Sequence, residues 1–217
     1  MMEELSHPNR STAVMQQRRT RKADGSLDHF PTPPWATRAL CEWLRHETLT
    51  RIDDASVWEP ACAEGHMSRV LAEYFGTVHS SDIKDYGFGE TPVDFLWHGS
   101  EDGRNVNWII TNPPFILAAA FAEKGIQVAS DGVALIVRSA FLEGQERYAT
   151  LFSQTPPSDI LQFVERVAMV QARLDREASS ATAYCWLVWR KSVALAGTRF
   201  HWLPPCRKRL ERDSDYE

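Results

Sequence analysis

Short apolar runs alternate along this chain with segments in which apolar residues recur at helical spacing. Ala55–Pro60 and Thr77–Ile83 have the composition of strands, and Asn107–Thr111 and Gly132–Arg138 are nearly continuous apolar runs. Segments of helical spacing, such as Phe115–Ala129, separate them. Strands that alternate with helices predict an α/β fold, with a mostly parallel sheet and helices on both of its faces.

The two ends of this pattern add further expectations. Near the beginning, Thr32 can cap a helix whose first position is Pro33. Near the end, Asp159–Val167 and Ala181–Trp189 are strands with no helix between them, which predicts an antiparallel pair at the edge of the sheet. Ligands of such sheets bind beyond the carboxyl ends of the strands. The residues at those ends are therefore the candidates for a functional site.

The length of 217 residues fits one domain with tails. We expect a flexible N-terminal tail at 1–28, the main domain at 29–192 and an extension at 193–217. The tail carries a basic run, Arg18–Lys22, which is either a solvated terminus or an arm that contacts phosphates.

Composition and spacing exclude several classes of protein. No apolar run reaches the length of a membrane span, about 18 residues, and no apolar signal segment begins the chain, so we expect a cytoplasmic protein. The four cysteines form no CxxC pair and the histidines show no HxxxH spacing, so no metal site is expected. The net charge of −5 argues against general basicity but not against a local basic patch.

The first strand leads into a turn of small residues, Glu59–Gly65, which reads EPACAEG. Ala61, Cys62 and Gly65 allow the backbone to bend tightly and to approach a ligand closely. The acid at the start of the turn would repel a phosphate, so the turn suits a ligand with a cationic or amine group.

Two further acidic positions follow. Asp82 ends the second strand about 20 residues beyond this turn, where an acid suits the ribose hydroxyls of an adenosine or else caps the next segment. Asp94 and Phe95 can hold an adenine ring by its amino group and its face, or form a plain turn with a core phenylalanine.

The buried strand Asn107–Thr111 runs directly into Asn112, Pro113, Pro114 and Phe115. The two prolines remove two backbone donors and stiffen the turn. The amide oxygen of Asn112 and the carbonyl oxygen of Pro113 remain as fixed acceptors, which match the two hydrogens of an exocyclic NH2 group. Phe115 can stack on the ring that carries this amine.

Together these segments resemble class I S-adenosylmethionine-dependent methyltransferases, and among them the gamma-type N6-adenine DNA methyltransferases. Phe30–Leu40 is similar to their N-terminal cofactor motif, EPACAEG to their first nucleotide-fold motif and TNPPF to their catalytic motif, in that order. The resemblance covers residues 30–190, and Ala181–Trp189 is also similar to the closing strand of compact phage- and prophage-borne members.

The resemblance implies a Rossmann-like methyltransferase fold with a seven-stranded sheet and S-adenosylmethionine as cofactor. It implies methyl transfer to the N6 amine of an adenine that is flipped out of DNA. The catalytic residues that it implies are Asn112, Pro113, Pro114 and Phe115. The cofactor contacts that it implies are Phe30, Thr32, Glu59, Pro60, Ala61, Cys62, Gly65, Asp82, Asp94, Phe95 and Asn112.

Two positions depart from the family pattern. Ala63 stands where the first nucleotide-fold motif has glycine, which narrows the cofactor turn. The family often has an aromatic between the last two strands that stacks on the flipped base, but Glu165–Leu174 contains none. Met169 or Phe163 can take its place.

Few residues outside the predicted core are available to recognise a base sequence. Only Ser139–Ser158 and the tails could read bases, so we expect a short or degenerate recognition sequence or a second subunit. A monomer and a homodimer are both open. The candidate phosphate contacts, which could instead pair with nearby acids, are Arg138, Arg147, Arg166 and Arg173.

Nucleic acid is the expected partner, with DNA favoured over RNA, and three other functions stay open. The catalytic turn also suits an RNA base-amine methyltransferase acting on guanine N2 or adenine N6. A protein-glutamine amide offers a similar NH2 group. A cofactor-binding protein without catalysis is the third alternative, because of Ala63 and the missing aromatic. The chain has no Pro-Cys pair for cytosine C5 methylation, which needs a thiolate nucleophile.

Overall fold

A computed structural model describes residues 29–47, 51–97, 104–193 and 197–216. The predicted basic tail, 1–28, lies outside the described residues. The helices in the described part are α1 (Pro34–Glu47), α2 (His66–Leu71), α3 (Ala118–Val128), α4 (Gln145–Arg147) and α5 (Arg207–Leu210). The strands there are β1 (Ser56–Glu59), β2 (Thr77–Ser80), β3 (Trp108–Thr111), β4 (Gly132–Arg138), β5 (Asp159–Phe163), β6 (Tyr184–Arg190) and β7 (Arg199–Leu203).

Single helical turns complete the described part. They are 3-10 turns at Ile52–Asp54, Ser139–Leu142 and Asp213–Tyr216, and a π-helical turn at Tyr148–Phe152 that continues α4. None of the helices in the described ranges has the length and apolar character needed to cross a bilayer.

The strands form one seven-stranded sheet in the order β2-β1-β3-β4-β6-β5-β7. β1 pairs in parallel with β2 and β3, and β3 with β4. β6 runs antiparallel to both β4 and β5. The predicted fold class is therefore confirmed: a mostly parallel sheet with an antiparallel pair.

The antiparallel pair lies one strand in from the edge of the sheet. β7 pairs in parallel with β5 and forms the edge itself. Sequence patterning did not predict β7, because Phe200 and Trp202 are half or more exposed and no buried apolar run marks the strand. β7 therefore brings part of the predicted extension, 193–217, into the sheet.

Each face of the sheet carries its own hydrophobic core. Ile110 of β3 packs in a core with Leu40 of α1, whereas its neighbour Ile109 packs with Phe121 of α3. Successive side chains of a strand point to opposite faces, so one apolar run serves both cores. This accounts for the nearly continuous apolar character of β3 and β4 and confirms that helices cover both faces.

The C-terminal residues are held by a buried ion pair. The guanidinium of Arg38 in α1 donates to Asp215 at 2.7 Å and to Glu73 at 2.8 Å, and also to the carbonyl of Leu210. The side chains of Arg38 and Asp215 are 3 % and 4 % exposed. Two opposite charges removed from water together hold each other strongly, so Asp215 fixes this end of the chain against α1.

Candidate active site

A cavity opens at the carboxyl ends of β1, β2 and β3. It encloses about 980 Å³, including the part open to solvent. The predicted cofactor contacts that line it are Phe30, Thr32, Glu59, Pro60, Ala61, Cys62, Asp82, Asp94, Phe95 and Asn112. Gly65 is the predicted contact that does not line it. Parallel strands bring their carboxyl ends to the same edge, which is why segments distant in sequence meet here.

The turn after β1 has an unusual backbone. Ala63 has a φ of +44°, and Gly65, just before α2, has a φ of +81°. A Cβ atom at Gly65 would lie 2.4 Å from the ring of Phe88. Gly65 is thus required for the shape of the turn, and Ala63 adopts a backbone conformation that glycine adopts without strain.

Asp82 joins the turns that follow β1 and β2. One carboxylate oxygen accepts from the backbone N–H of Ala63 at 2.9 Å, and the other accepts from the N–H of Lys84 at 3.0 Å. The backbone of Cys62 also donates to the carbonyl of Ser81 at 3.0 Å. These bonds hold the Asp82 carboxylate rigidly at the cavity wall, where its remaining acceptor capacity faces a ligand.

Glu59 is the most deeply buried acid of the cavity, with 2 % of its surface exposed. It accepts a short hydrogen bond from the hydroxyl of Ser68, which also contacts Ser80. Burial raises the pKa of the Glu59 carboxyl well above its ordinary value, and the charge of Asp82 adds to this, whereas the bond from Ser68 lowers it. A cationic group in the cavity would favour the ionised form of this carboxyl.

Thr32 does not cap α1 as predicted. The helix begins at Pro34, and Pro34 lacks one of the two N–H groups that a cap at Thr32 could bind. The hydroxyl of Thr32 is buried with no hydrogen-bond partner in the described part of the chain, and Thr32 lines the cavity. An unsatisfied buried hydroxyl costs about 1–3 kcal/mol, so this group is available for a bound ligand to satisfy.

Asn112 stands at the rim of the cavity with one end of its amide held. Its Nδ2 donates to the carbonyl of Phe30 at 2.8 Å and lies 3.8 Å from the sulfur of Met169. Within the described ranges no group donates to its Oδ1 or to the carbonyl of Pro113. Both predicted acceptors are therefore available to a bound amine.

Phe115 does not present a bare ring. It packs on the α1 core and lies 5.3 Å from the ring of Phe30. The guanidinium carbon of Arg138, at the end of β4, lies 3.9 Å from its ring centroid. The ring expected to stack on a base is therefore covered by a cation in this structure.

Asp94 and Phe95 contribute differently to the cavity. Phe95 is 2 % exposed and packs edge-on against Trp58 at 5.2 Å between ring centroids, so it is also a core residue. Asp94 accepts from the N–H of Leu96 at 3.0 Å, which holds the local turn. Phe95 is therefore a core phenylalanine and Asp94 holds a turn, and both also line the cavity where a ring could bind.

Residues 29–33, here called the strap, run along the cavity; Phe30 and Thr32 were predicted as cofactor contacts, whereas the lining residues His29 and Pro31 were not. His29 bonds Glu64 at 2.7 Å and its ring lies 4.9 Å from that of Tyr86. Its carbonyl accepts from the N–H of Ala172 at 2.9 Å. The strap thus lies between the cavity and the loop after β5.

The structure also places the residues that were predicted to stack on a base or to contact phosphates. Phe163 is buried edge-on against Trp35, so it is not available to stack on a base. Met169 is buried beside Asn112. Among the described residues, Arg173 is the one candidate arginine of the four that pairs with an acid, Asp175 at 2.9 Å. Arg147 and Arg166 donate to backbone carbonyls.

The described residues include no group of three or more His, Cys, Asp and Glu side chains placed to hold a metal ion. The cysteines Cys41, Cys62, Cys185 and Cys206 are all buried free thiols. Burial raises the pKa of the Cys62 thiol, beside the cavity, to about 12. A thiol with such a pKa is not a nucleophile near neutral pH.

No protein-family model matches this sequence, and no curated protein matches it. Solved structures share its fold at low sequence identity. The methyltransferase subunit of a type I restriction–modification system from Streptococcus thermophilus superposes with a TM-score of 0.62 and 10 % identity, over 94 % of this chain and 54 % of that chain. This chain thus spans about half the length of that subunit.

Two smaller proteins are also similar. A protein from Pyrococcus horikoshii, provisionally described as an RNA methyltransferase, has a TM-score of 0.56 and 19 % identity over 77 % of this chain and 89 % of that chain. A Listeria monocytogenes protein, provisionally described as a class I S-adenosylmethionine-dependent methyltransferase, has a TM-score of 0.56 and 12 % identity over 89 % of this chain and 72 % of that chain. These likenesses show that the chain has the fold of class I S-adenosylmethionine-dependent methyltransferases.

Proposed function

We propose that this protein is an S-adenosylmethionine-dependent methyltransferase that acts on the exocyclic N6 amine of adenine in DNA. The observation that carries the proposal is the turn at the end of β3. There, Oδ1 of Asn112 and the carbonyl of Pro113 accept no hydrogen bond from the described residues, and Asn112 lines a cavity that three acids, Glu59, Asp82 and Asp94, also line. A primary amine on a ring supplies the two hydrogens that these acceptors match.

The cavity residues suit the cofactor. Thr32 offers an unsatisfied hydroxyl, Asp82 a rigid carboxylate for ribose hydroxyls and Glu59 a buried acid for a cationic group. Apolar side chains, including Val93, Phe95 and Leu96, line the part that would take an adenine ring. S-adenosylmethionine, when bound, supplies a methyl group on a positively charged sulfur.

Asn112 and Pro113 would act by orientation. Two hydrogen bonds from the amine to these acceptors would direct the nitrogen lone pair toward the cavity and draw electron density from the N–H bonds. No nucleophile of the protein is required, and the buried thiol of Cys62 is not placed to supply one. Positioning of two bound reactants alone can lower a barrier by about 7–11 kcal/mol.

An adenine within a duplex cannot reach this rim, so the base must be flipped out or lie in a single strand. Within the described residues, Ser139–Ser158 is the segment that we expect to read bases. Its small size supports a short or degenerate recognition sequence. RNA base-amine methylation is the second candidate, because the same acceptors suit adenine N6 or guanine N2 of RNA.

A methyl-transfer assay with labelled S-adenosylmethionine tests the proposal. Unmethylated duplex DNA, single-stranded DNA and total RNA would be incubated with the protein, digested to nucleosides and identified by mass. We expect N6-methyldeoxyadenosine. Methylated ribonucleosides alone would support the RNA candidate, and cofactor binding without any product would contradict both.

The variant that tests the role of Asn112 in methyl transfer is Asn112→Ala. It removes one acceptor and the bond to the Phe30 carbonyl but leaves Glu59, Asp82 and Thr32 in place. Loss of one such group costs about 10²–10³ in rate where it orients the reacting atoms. We expect that loss in turnover, with a cofactor Kd within a few-fold of wild type by calorimetry. Undiminished turnover would contradict the assigned role of Asn112.

A further inference from the structure

Arg138 differs from the other arginines near the catalytic turn. It ends β4, lies opposite Tyr184 of β6, and its guanidinium covers the ring of Phe115 at 3.9 Å. Burial raises the pKa of the Tyr184 hydroxyl, and the neighbouring Arg138 partly offsets this shift. The cation is thus in place beside the catalytic turn and in contact with its aromatic residue.

The charge of Arg138 has no carboxylate partner among the described residues, and its Nε is buried without any acceptor. A buried N–H without an acceptor is unfavourable, and a cation–π contact supplies no acceptor for it. An anionic acceptor is therefore what this side chain lacks.

The ring under Arg138 is the one expected to meet the substrate base. Glu165–Leu174 supplies no aromatic, and Phe163 is buried against Trp35. The face of Phe115 that Arg138 covers can stack on a base only if the guanidinium leaves it. A movement of the Arg138 side chain toward an anionic acceptor would give its N–H groups a partner and would also expose the ring of Phe115.

We propose that Arg138 binds a phosphate of the target nucleotide and in doing so uncovers Phe115 for the base. This inference rests on the proposed function, since it requires a nucleic acid substrate. Guanidinium groups bind phosphate oxygens through two parallel hydrogen bonds. The Nε–H of Arg138 would gain the acceptor that it lacks in the free protein.

The test compares Arg138→Gln, Arg138→Lys and wild type. Arg51→Gln is the control for charge, because Arg51 is exposed and precedes β1, away from the carboxyl ends of the strands where the cavity lies. Binding of labelled duplex and single-stranded DNA would be measured by anisotropy over a salt series. Each lost phosphate contact lowers the slope of log K against log salt by about 0.9 for duplex and about 0.7 for a single strand.

We expect Arg138→Gln to show this loss of slope and at least a tenfold fall in kcat/KM, mostly through KM, with cofactor Kd within twofold of wild type. Arg138→Lys should keep the slope, because it keeps the point charge. An unchanged slope and KM in Arg138→Gln would overturn the inference.

The two proposals fail in distinguishable ways. Methyl transfer by wild type with an unaltered Arg138→Gln variant would overturn the role of Arg138 alone. A wild type that binds the cofactor but neither binds nor methylates any nucleic acid would overturn the proposed function and this inference together.

Discussion

The side-chain amide of Asn112 donates from Nδ2 to the backbone carbonyl of Phe30 at 2.8 Å, across 82 positions of sequence. This bond fixes which end of the amide is which, because only nitrogen can donate to a carbonyl. The oxygen is then the end left for a substrate. The strap that covers the cavity thereby also orients the side chain proposed to hold the amine.

Asn112→Asp tests this relationship directly. A carboxylate keeps the acceptors but cannot donate to the Phe30 carbonyl, and two oxygens would then face each other. We expect kcat to fall by about 10–100-fold, equal to roughly 1.4–2.7 kcal/mol, with the cofactor Kd little changed. Single-turnover kinetics measures the effect. Asn105→Asp, an exposed site, controls for the added charge; an equal loss there would contradict the argument.

Glu59 predicts a pH dependence of cofactor binding. Its pKa is raised chiefly by burial, so in the free protein its carboxyl holds a proton to a higher pH than an exposed glutamate does. A cationic ligand prefers the carboxylate. Affinity should therefore increase as pH rises through the raised pKa, by at most about tenfold per pH unit.

Calorimetry in a pH series measures this dependence. Glu59→Gln should bind the cofactor more weakly and without the pH dependence, because glutamine does not titrate in this range. Glu123→Gln, on the exposed side of α3, should behave as wild type. A pH dependence that survives Glu59→Gln would show that another group is responsible.

Ala63→Gly should not destabilise the protein. A non-glycine residue at a φ of +44° costs roughly 1–2 kcal/mol of folding free energy. Glycine removes this cost, but its extra flexibility in the unfolded chain offsets about 0.5–1 kcal/mol of the stability gained. We expect an unfolding free energy about 0.5–1 kcal/mol higher in urea titrations. Ala72→Gly, at a φ of −66°, should instead lose about 0.5–1 kcal/mol. Equal losses at both sites would contradict strain at Ala63.

Asp215→Ala should destabilise the whole domain. It leaves Arg38, 3 % exposed, with Glu73 as its remaining carboxylate. Removing one partner of a buried pair costs about 3–5 kcal/mol, and Glu73 should keep the loss near the lower figure. Asp213→Ala removes an 87 % exposed partner of Arg176 and should cost about 0.5 kcal/mol or less. Thermal and chemical unfolding that failed to separate the two variants would refute this.

The strands and helices near the site could be predicted because their signals are local. The apolar run of β3 and the prolines that follow it are adjacent in sequence, so the proposed catalytic turn could be placed at the end of its strand. Glu59 and Asp82 could be placed for the same reason, since Glu59 ends β1 and Asp82 follows the end of β2 by two residues. β7 was missed because its exposed Phe200 and Trp202 leave no buried pattern.

The sequence by itself determined the α/β alternation, the strand ends and the residue types that meet at the cavity. Only the tertiary structure decided which partners, if any, the polar groups of these residues contact. Thr32 is not a cap, the Asn112 amide is held by Phe30, and Arg138 covers Phe115. Each of these depends on where distant side chains meet across the sheet edge, and hydrogen bonds of that kind leave no periodic trace in the chain.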